Sequence, residues 1–250
     1  MDRRVSKGCR VSPYGVTLQH VSFRGPTSST WPWYQADIHH HACVVAVHLG
    51  YSHQTCGGAM ITIKHVLTAA HCIAIGIEER DPHMHPMKYL SVVSGSSNRR
   101  DTEKVLVSSI CNKIPLGPTR QPAILPTRQH RAGEKGLILG WGWTQPENSM
   151  SVDELQKAEM TITSVDDDHF LARGQSGVAF CNGDSGSPFL INNTIVGIIS
   201  DSSDCTGDTE GWYTNVFAYT TWIEDVIIFG GQNVFSGYVR EMKIISNYPD

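Results

Sequence analysis

What this 250-residue chain lacks narrows its class before any motif is read. It has no basic excess. Its 20 Lys and Arg stand against 24 Asp and Glu, a net charge of −4, so neither nucleic acid nor an anionic membrane surface is an expected partner. No apolar run approaches the ~18 residues of a membrane-spanning helix. No Cys-x-x-Cys pair occurs among the seven cysteines, their spacing does not read as a zinc site, and no metal or other cofactor is expected. The first fifteen residues, MDRRVSKGCRVSPYG, hold no apolar signal core. Helical periodicity is almost missing, which removes the parallel α/β architectures. With 40% apolar residues and 23 Gly, the composition is that of a globular chain able to bury a sizeable core. Disorder, collagen and coiled coil are excluded.

The cysteines are Cys9, Cys43, Cys56, Cys72, Cys111, Cys181 and Cys205. An odd number leaves at least one unpaired or paired with another chain. In a chain of this size they read as a few disulfides in a secreted domain. Secretion then expects a signal outside this chain; the other reading is a cytosolic protein.

Residues 1–30 read as an extended lead-in, with Pro13, Gly15, Gly25, Pro26 and a Thr27–Thr30 polar cluster. From 31 to 229 the chain shows many short β-like runs: 43–49, 58–63, 89–94, 104–110, 135–142, 155–163, 187–191 and 195–200. Gly, Pro, Asn and Ser clusters separate them, a pattern that predicts an all-β barrel or sandwich. One helix is expected, from Phe217 to Ile228, ended by Gly230-Gly231. The tail, 230–250, is partly apolar and reads either as a packed extension or as a frayed end.

Two segments carry chemistry. CGGAMITIKHVLTAAHC, 56–72, offers His71 beside small residues, and CNGDSGSPF, 181–189, offers Ser185 between glycines. Glycine allows close backbone approach and tight turns. A Ser hydroxyl is a weak nucleophile until a base such as neutral His takes its proton. Backbone N–H groups near the Ser would stabilise an oxyanion.

Together these segments resemble the chymotrypsin-like (S1) serine proteases. The family's His motif stands as Thr68-Ala69-Ala70-His71-Cys72, and its nucleophile motif as Gly183-Asp184-Ser185-Gly186. Trp31-Pro32-Trp33, LGWG at 139–142, and the run from Gly211 through Thr214 to Trp222-Ile223 resemble further family segments in the same order. The resemblance spans 31–228. The α/β-hydrolase elbow needs G-x-S-x-G, and Ser187 holds its last position, so that alternative fails. The resemblance implies an all-β fold of two six-stranded antiparallel barrels with a C-terminal helix. It also implies a serine endopeptidase of protein or peptide substrates, activated by another protease. Ser185 is then the nucleophile, His71 the general base and then acid, and the N–H groups of Gly183 and Ser185 the oxyanion hole. Asp184 would receive a freshly cut N-terminal ammonium. Cys56–Cys72 and Cys181–Cys205 are the implied disulfides. Ala179 is the implied base of the substrate pocket, with Ser200 and Ser202 on one wall and Gly211 on the other. Such a pocket is uncharged and fits a small or medium apolar side chain.

The chain departs from the family in several places. The family's third catalytic residue is an Asp inside an apolar strand. Between His71 and LGWG the only aspartates are Asp81 and Asp101, both in polar surroundings. The expectation is a missing segment, by deletion or by an error in the inferred transcript. Losing that Asp lowers kcat by ~10⁴ in a well-studied triad. Arg10-Val11 and Arg24-Gly25 look cleavable, yet neither frees the expected apolar pair before Trp31. Leu171 stands where a Cys is expected, and Ser187-Pro188 replaces the commoner Gly-Pro. A reading of another class follows: an inactive homologue that binds partners in the old cleft.

Other clusters have plainer readings. His39-His40-His41 is a solvated loop before it is a metal site. His83 and His85 share a face of a surface strand. Asp166-Asp167-Asp168 lacks the spaced ligands of a calcium loop. Asn192-Asn193-Thr194 fits an N-glycosylation sequon.

Overall fold

The computed structural model describes residues 33–50, 55–75, 83–85, 89–101, 108–109, 113–143, 151–175, 178–202, 205, 210–229 and 242–246. The lead-in 1–30, both cleavable-looking bonds, Cys9, Asp81 and Cys111 lie outside them.

The strands in the first half are β1 (Tyr34–Gln35), β2 (Val44–Leu49), β3 (Thr55–Thr62), β4 (His65–Ala69), β5 (Ala74–Ile75), β6 (His83–Met84), β7 (Leu90–Ser94) and β8 (Ser108–Ser109). The second half holds β9 (Lys135–Gly140), β10 (Gln156–Val165), β11 (His169–Gly174), β12 (Pro188–Ile191), β13 (Thr194–Ser202) and β14 (Gly211–Asn215). Helix α1 (Thr220–Phe229) follows, and β15 (Met242–Ser246) comes last.

One sheet runs β15-β4-β3-β2-β7-β8. The other runs β1-β10-β11-β14-β13-β12-β9 and closes on itself because β10 also pairs with β9, from Gln156↔Gly140 to Thr161↔Lys135. The expected all-β, two-barrel architecture with a late helix is the observed one. The closed barrel uses the six strands β9 to β14, with β1 added at an edge.

Alternation explains the closed barrel. Along β10, Ala158, Met160 and Ile162 point inward and are buried, while Glu159 and Thr163 face solvent, the period-two pattern of a sheet with one wet face. Phe170, Phe189 and Tyr213 fill the interior, with ring centroids 5.0–5.3 Å apart. β2 is apolar on both faces, and Val44 to Val47 are all buried, so neither face meets solvent. Ile223 and Val226 of α1 join that core.

Turn chemistry fixes the hairpin ends. Asn192 and Asn193 join β12 to β13 with φ of 50° and 62°, the left-handed pair that a two-residue hairpin requires and that Asn tolerates. Both are exposed, so the sequon sits on a surface turn. The helix expected from Phe217 begins three residues later. A 3-10 turn, Val216–Tyr219, precedes it, capped by the Asn215 side chain accepting from the Phe217 N–H at 3.2 Å.

Candidate active site

His71 lies in a 3-10 turn, Ala70–Cys72, directly after β4. The turn is tied to β3 by the Cys56–Cys72 disulfide. Ser185 lies between Cys181 and β12, in a loop held by the Cys181–Cys205 disulfide. Both bridges are those the resemblance implied. Cys43 is a buried free thiol, and burial pushes its pKa up to about 12, so it is chemically inert.

The two barrels meet at Ser185. Its carbonyl accepts the Gly57 N–H of β3 at 2.9 Å, and the Cys72 sulfur lies 3.6 Å from the same oxygen. Gly186, at φ +80°, packs so tightly on β4 that a Cβ there would strike the Thr68 hydroxyl and the Gly57 carbonyl. Thr68 in turn donates to that carbonyl at 2.8 Å. The nucleophile loop is therefore pressed against the strand that carries His71. Glycine at 186 and 57 is a steric requirement of this contact.

Gly183 has φ +99°. Within the loop, the Asp184 N–H donates to Cys181, the Gly186 N–H to Ile199, and the Ser187 N–H to Asp184. The N–H groups of Gly183 and Ser185 take part in no such bond among the described residues. Backbone N–H groups left unbonded beside a hydroxyl are the kind of donor that stabilises an oxyanion.

Asp184 is 2% exposed. Its carboxylate accepts the Gly142 N–H at 2.8 Å and the Cys181 N–H at 3.0 Å. Burial outweighs those two bonds and raises its pKa to about 7. His71 moves the opposite way. Burial alone lowers its pKa to about 4, and no carboxylate faces it among the described residues. Asp101 is engaged elsewhere, its carboxylate accepting the Ser96 hydroxyl at 3.2 Å. A His71 ring nitrogen and both sulfurs of the adjacent disulfide lie within 4.8 Å of one another. Bonded sulfurs offer no thiolate, so this cluster does not suit a metal.

Around the implied pocket, Ala179 is 7% exposed, and its carbonyl accepts the Trp33 indole N–H at 3.1 Å. Ser200 and Ser202 lie on β13, and Gly211 pairs with Ser202 from β14. Sequence reading missed Phe180 and Tyr213 here, and noted Ser187 only as a departure from the family pattern. Phe180 is buried against Gly211, where a Cβ would strike its ring. The Tyr213 and Ser187 hydroxyls are buried without a partner among the described residues. An aromatic five residues before Ser185 and a Ser in the usual Gly place were the available signals.

The remaining clusters resolve plainly. The Asp37 carboxylate accepts from the His39 backbone N–H and also engages the His39 ring, both at 2.9 Å, so the His tract belongs to a capped turn. Asp166 and Asp168 pair with the His169 ring at 3.1 and 2.8 Å. His85 differs from the expected surface position: it is 8% exposed, because its N–H bonds back to Ile73 at 2.9 Å and draws it inward.

This fold and this site define a chymotrypsin-like serine protease scaffold. The trypsin family profile matches residues 33–223, and the chain belongs to that family, whose chemistry is serine-type hydrolysis of protein or peptide substrates. Mouse kallikrein-8 is 28% identical over 196 residues, 68% of this chain and 75% of its own. Snake venom serine protease 3 of Craspedocephalus gramineus is 27% identical over 227 residues, 77% and 85% of the two chains. Two solved structures share the fold. Neuropsin, a serine protease of mouse brain, has TM-score 0.63 and 22% identity, covering 79% of this chain and 99% of its own. An inactivated protease paralogue of the scabies mite has TM-score 0.67 and 21% identity, covering 79% and 97%. No helix among the described residues is long and apolar enough to cross a membrane.

Proposed function

We propose that the chain is a secreted serine endopeptidase of low turnover, with Ser185 as nucleophile and His71 as general base. The supporting observation is the pair of free N–H groups, Gly183 and Ser185, beside a hydroxyl loop pressed onto β4. In the first step the Ser185 oxygen attacks the substrate carbonyl as its proton passes to His71. The oxygen of the tetrahedral species sits against the two N–H groups. His71 then returns the proton to the leaving amine, and water releases the acyl group by the same path.

The low turnover follows from His71. At neutral pH it is unprotonated and free to accept a proton. A pKa near 4 makes it a weak base, and among the described residues no carboxylate fixes which ring nitrogen holds the hydrogen. Ala179, Ser200, Ser202 and Gly211 are the residues proposed to surround the substrate side chain. Secretion fits the two disulfides and the venom origin in a relative's name. An activating protease is the proposed source of an ammonium for Asp184.

A second reading is a binding homologue without turnover. The observation that favours it is the lack of an acid partner for His71 among the described residues. An alkyl fluorophosphonate separates the two. The endopeptidase reading expects covalent labelling of the folded chain, seen as a mass shift and lost in Ser185→Ala. An unlabelled, folded chain leaves the binding reading.

A further inference from the structure

The segment that leads into Ser185 places an aromatic ring where a substrate side chain would go. Phe180 is only 3% exposed. Its ring meets the Tyr213 ring edge-on, centroids 5.3 Å apart and planes at 74°. It covers Gly211 so closely that a Cβ on that glycine would strike the ring at Cε1. Ala179, the proposed pocket base, is fixed next to it by the Trp33 hydrogen bond. Cys181, on its other side, is fixed by the disulfide to Cys205. The backbone on both sides of Phe180 is thus anchored. The Tyr213 hydroxyl beside it is buried, with no partner among the described residues.

We propose that Phe180 plugs the side-chain pocket, so that the peptides accepted are those with glycine or alanine at the residue whose carbonyl Ser185 attacks. The proposal rests on the endopeptidase reading and narrows its substrate class. It also replaces the wider pocket that Ala179 and Gly211 suggest on their own. A medium or large side chain finds the face of β14 at Gly211 and Tyr213 already covered by the buried Phe180 ring, and packed interiors do not yield extra volume without strain.

The test uses the full chain and two peptidyl diphenyl phosphonates that differ only in carrying alanine or phenylalanine at the phosphonate residue. In each reaction the Ser185 oxygen–phosphorus bond forms, one phosphorus–phenoxide bond breaks, phenoxide leaves with the electron pair, and the serine proton passes to His71. The native chain is expected to react about 100-fold faster with the alanine probe, the scale that pocket fit commands. Phe180→Ala is expected to reverse the order, and Phe180→Val to reduce the gap while disturbing the core less. A native chain that prefers the phenylalanine probe, or a folded Phe180→Val chain with an unchanged gap, overturns the proposal. A second arm needs no catalysis. In a Ser185→Ala background, Phe180→Ala is expected to bind indole saturably by NMR where the parent does not; equal binding by the parent overturns the plug. If an alkyl fluorophosphonate fails to label the native chain, the endopeptidase reading falls, and the indole arm still decides the role of Phe180.

Discussion

Asp184 carries a carboxyl group that the fold buries with two backbone N–H donors and no cation among the described residues. Its pKa of about 7 has a consequence for stability. The unfolded chain gives up this proton near pH 4, the folded chain only near 7, so between these values the folded state holds more protons. Stability attributable to Asp184 is therefore full below about pH 4 and is lost as pH rises to about 7. Urea unfolding at steps from pH 4.5 to 7.5 is expected to show this decline, and Asp184→Asn to flatten it; an unchanged slope in the variant would refute it. A cleaved N-terminus that reached Asp184 would reverse the sign, because a paired carboxylate is stabilised in its charged form. At this scale much of the site was legible. Gly183-Asp184-Ser185-Gly186 and Thr68-Ala69-Ala70-His71-Cys72 are local motifs whose geometry follows from their glycines and cysteines. Phe180 and the Tyr213 and Ser187 hydroxyls were not legible, because their roles arise from neighbours distant in sequence. Ser187 lies between Gly57 and Gly140, and no reading of SGSPF alone finds those partners.

Elements were legible where alternation or a long apolar run marks them. The runs read at 43–49, 89–94 and 135–142 correspond to β2, β7 and β9. β4, β11 and β14 escaped, since HVLTA, HFLARG and GWYTN begin in polar or glycine residues and hold no long apolar run. Their strand character comes from ladder partners, as β-propensity is largely a matter of context. β15 is the clearest case. The tail read equally well as packed or frayed, and the structure pairs Met242↔Ala69 through Ser246↔His65. It thereby covers the outer edge of β4, the strand that runs into the His71 turn. Deleting residues 242–250 leaves that edge unpaired. Scanning calorimetry is expected to show a Tm lowered by a few degrees, on the scale of ~2–4 °C per kcal/mol for a domain of this size, with slower fluorophosphonate labelling of Ser185. A truncated chain that melts and labels like the full one would show that β15 contributes nothing to the His71 edge.

At the scale of the whole molecule, the two sheets meet through small contacts, Gly57 to Ser185 and Gly186 against Thr68, while Asp184 ties the Ser185 loop to Gly142 within the second sheet's own half. The two-barrel fold could be inferred from many short strands and motifs in family order. The distance between motifs could not. The missing Asp segment was already expected from the sequence, and among the described residues burial is the one influence on His71. The account makes His71 a base governed by burial alone, serving a Ser185 already flanked by its two N–H groups. The most direct test is the rate of Ser185 modification by an alkyl fluorophosphonate across pH 3.5 to 9. The account predicts a slow but measurable rate that stays level from pH 9 to about 5 and falls to half near pH 4, where His71 takes up its proton. A midpoint near pH 7 would mean that an acid partner faces His71 after all, and a rate indistinguishable from Ser185→Ala at every pH would contradict the assembled site.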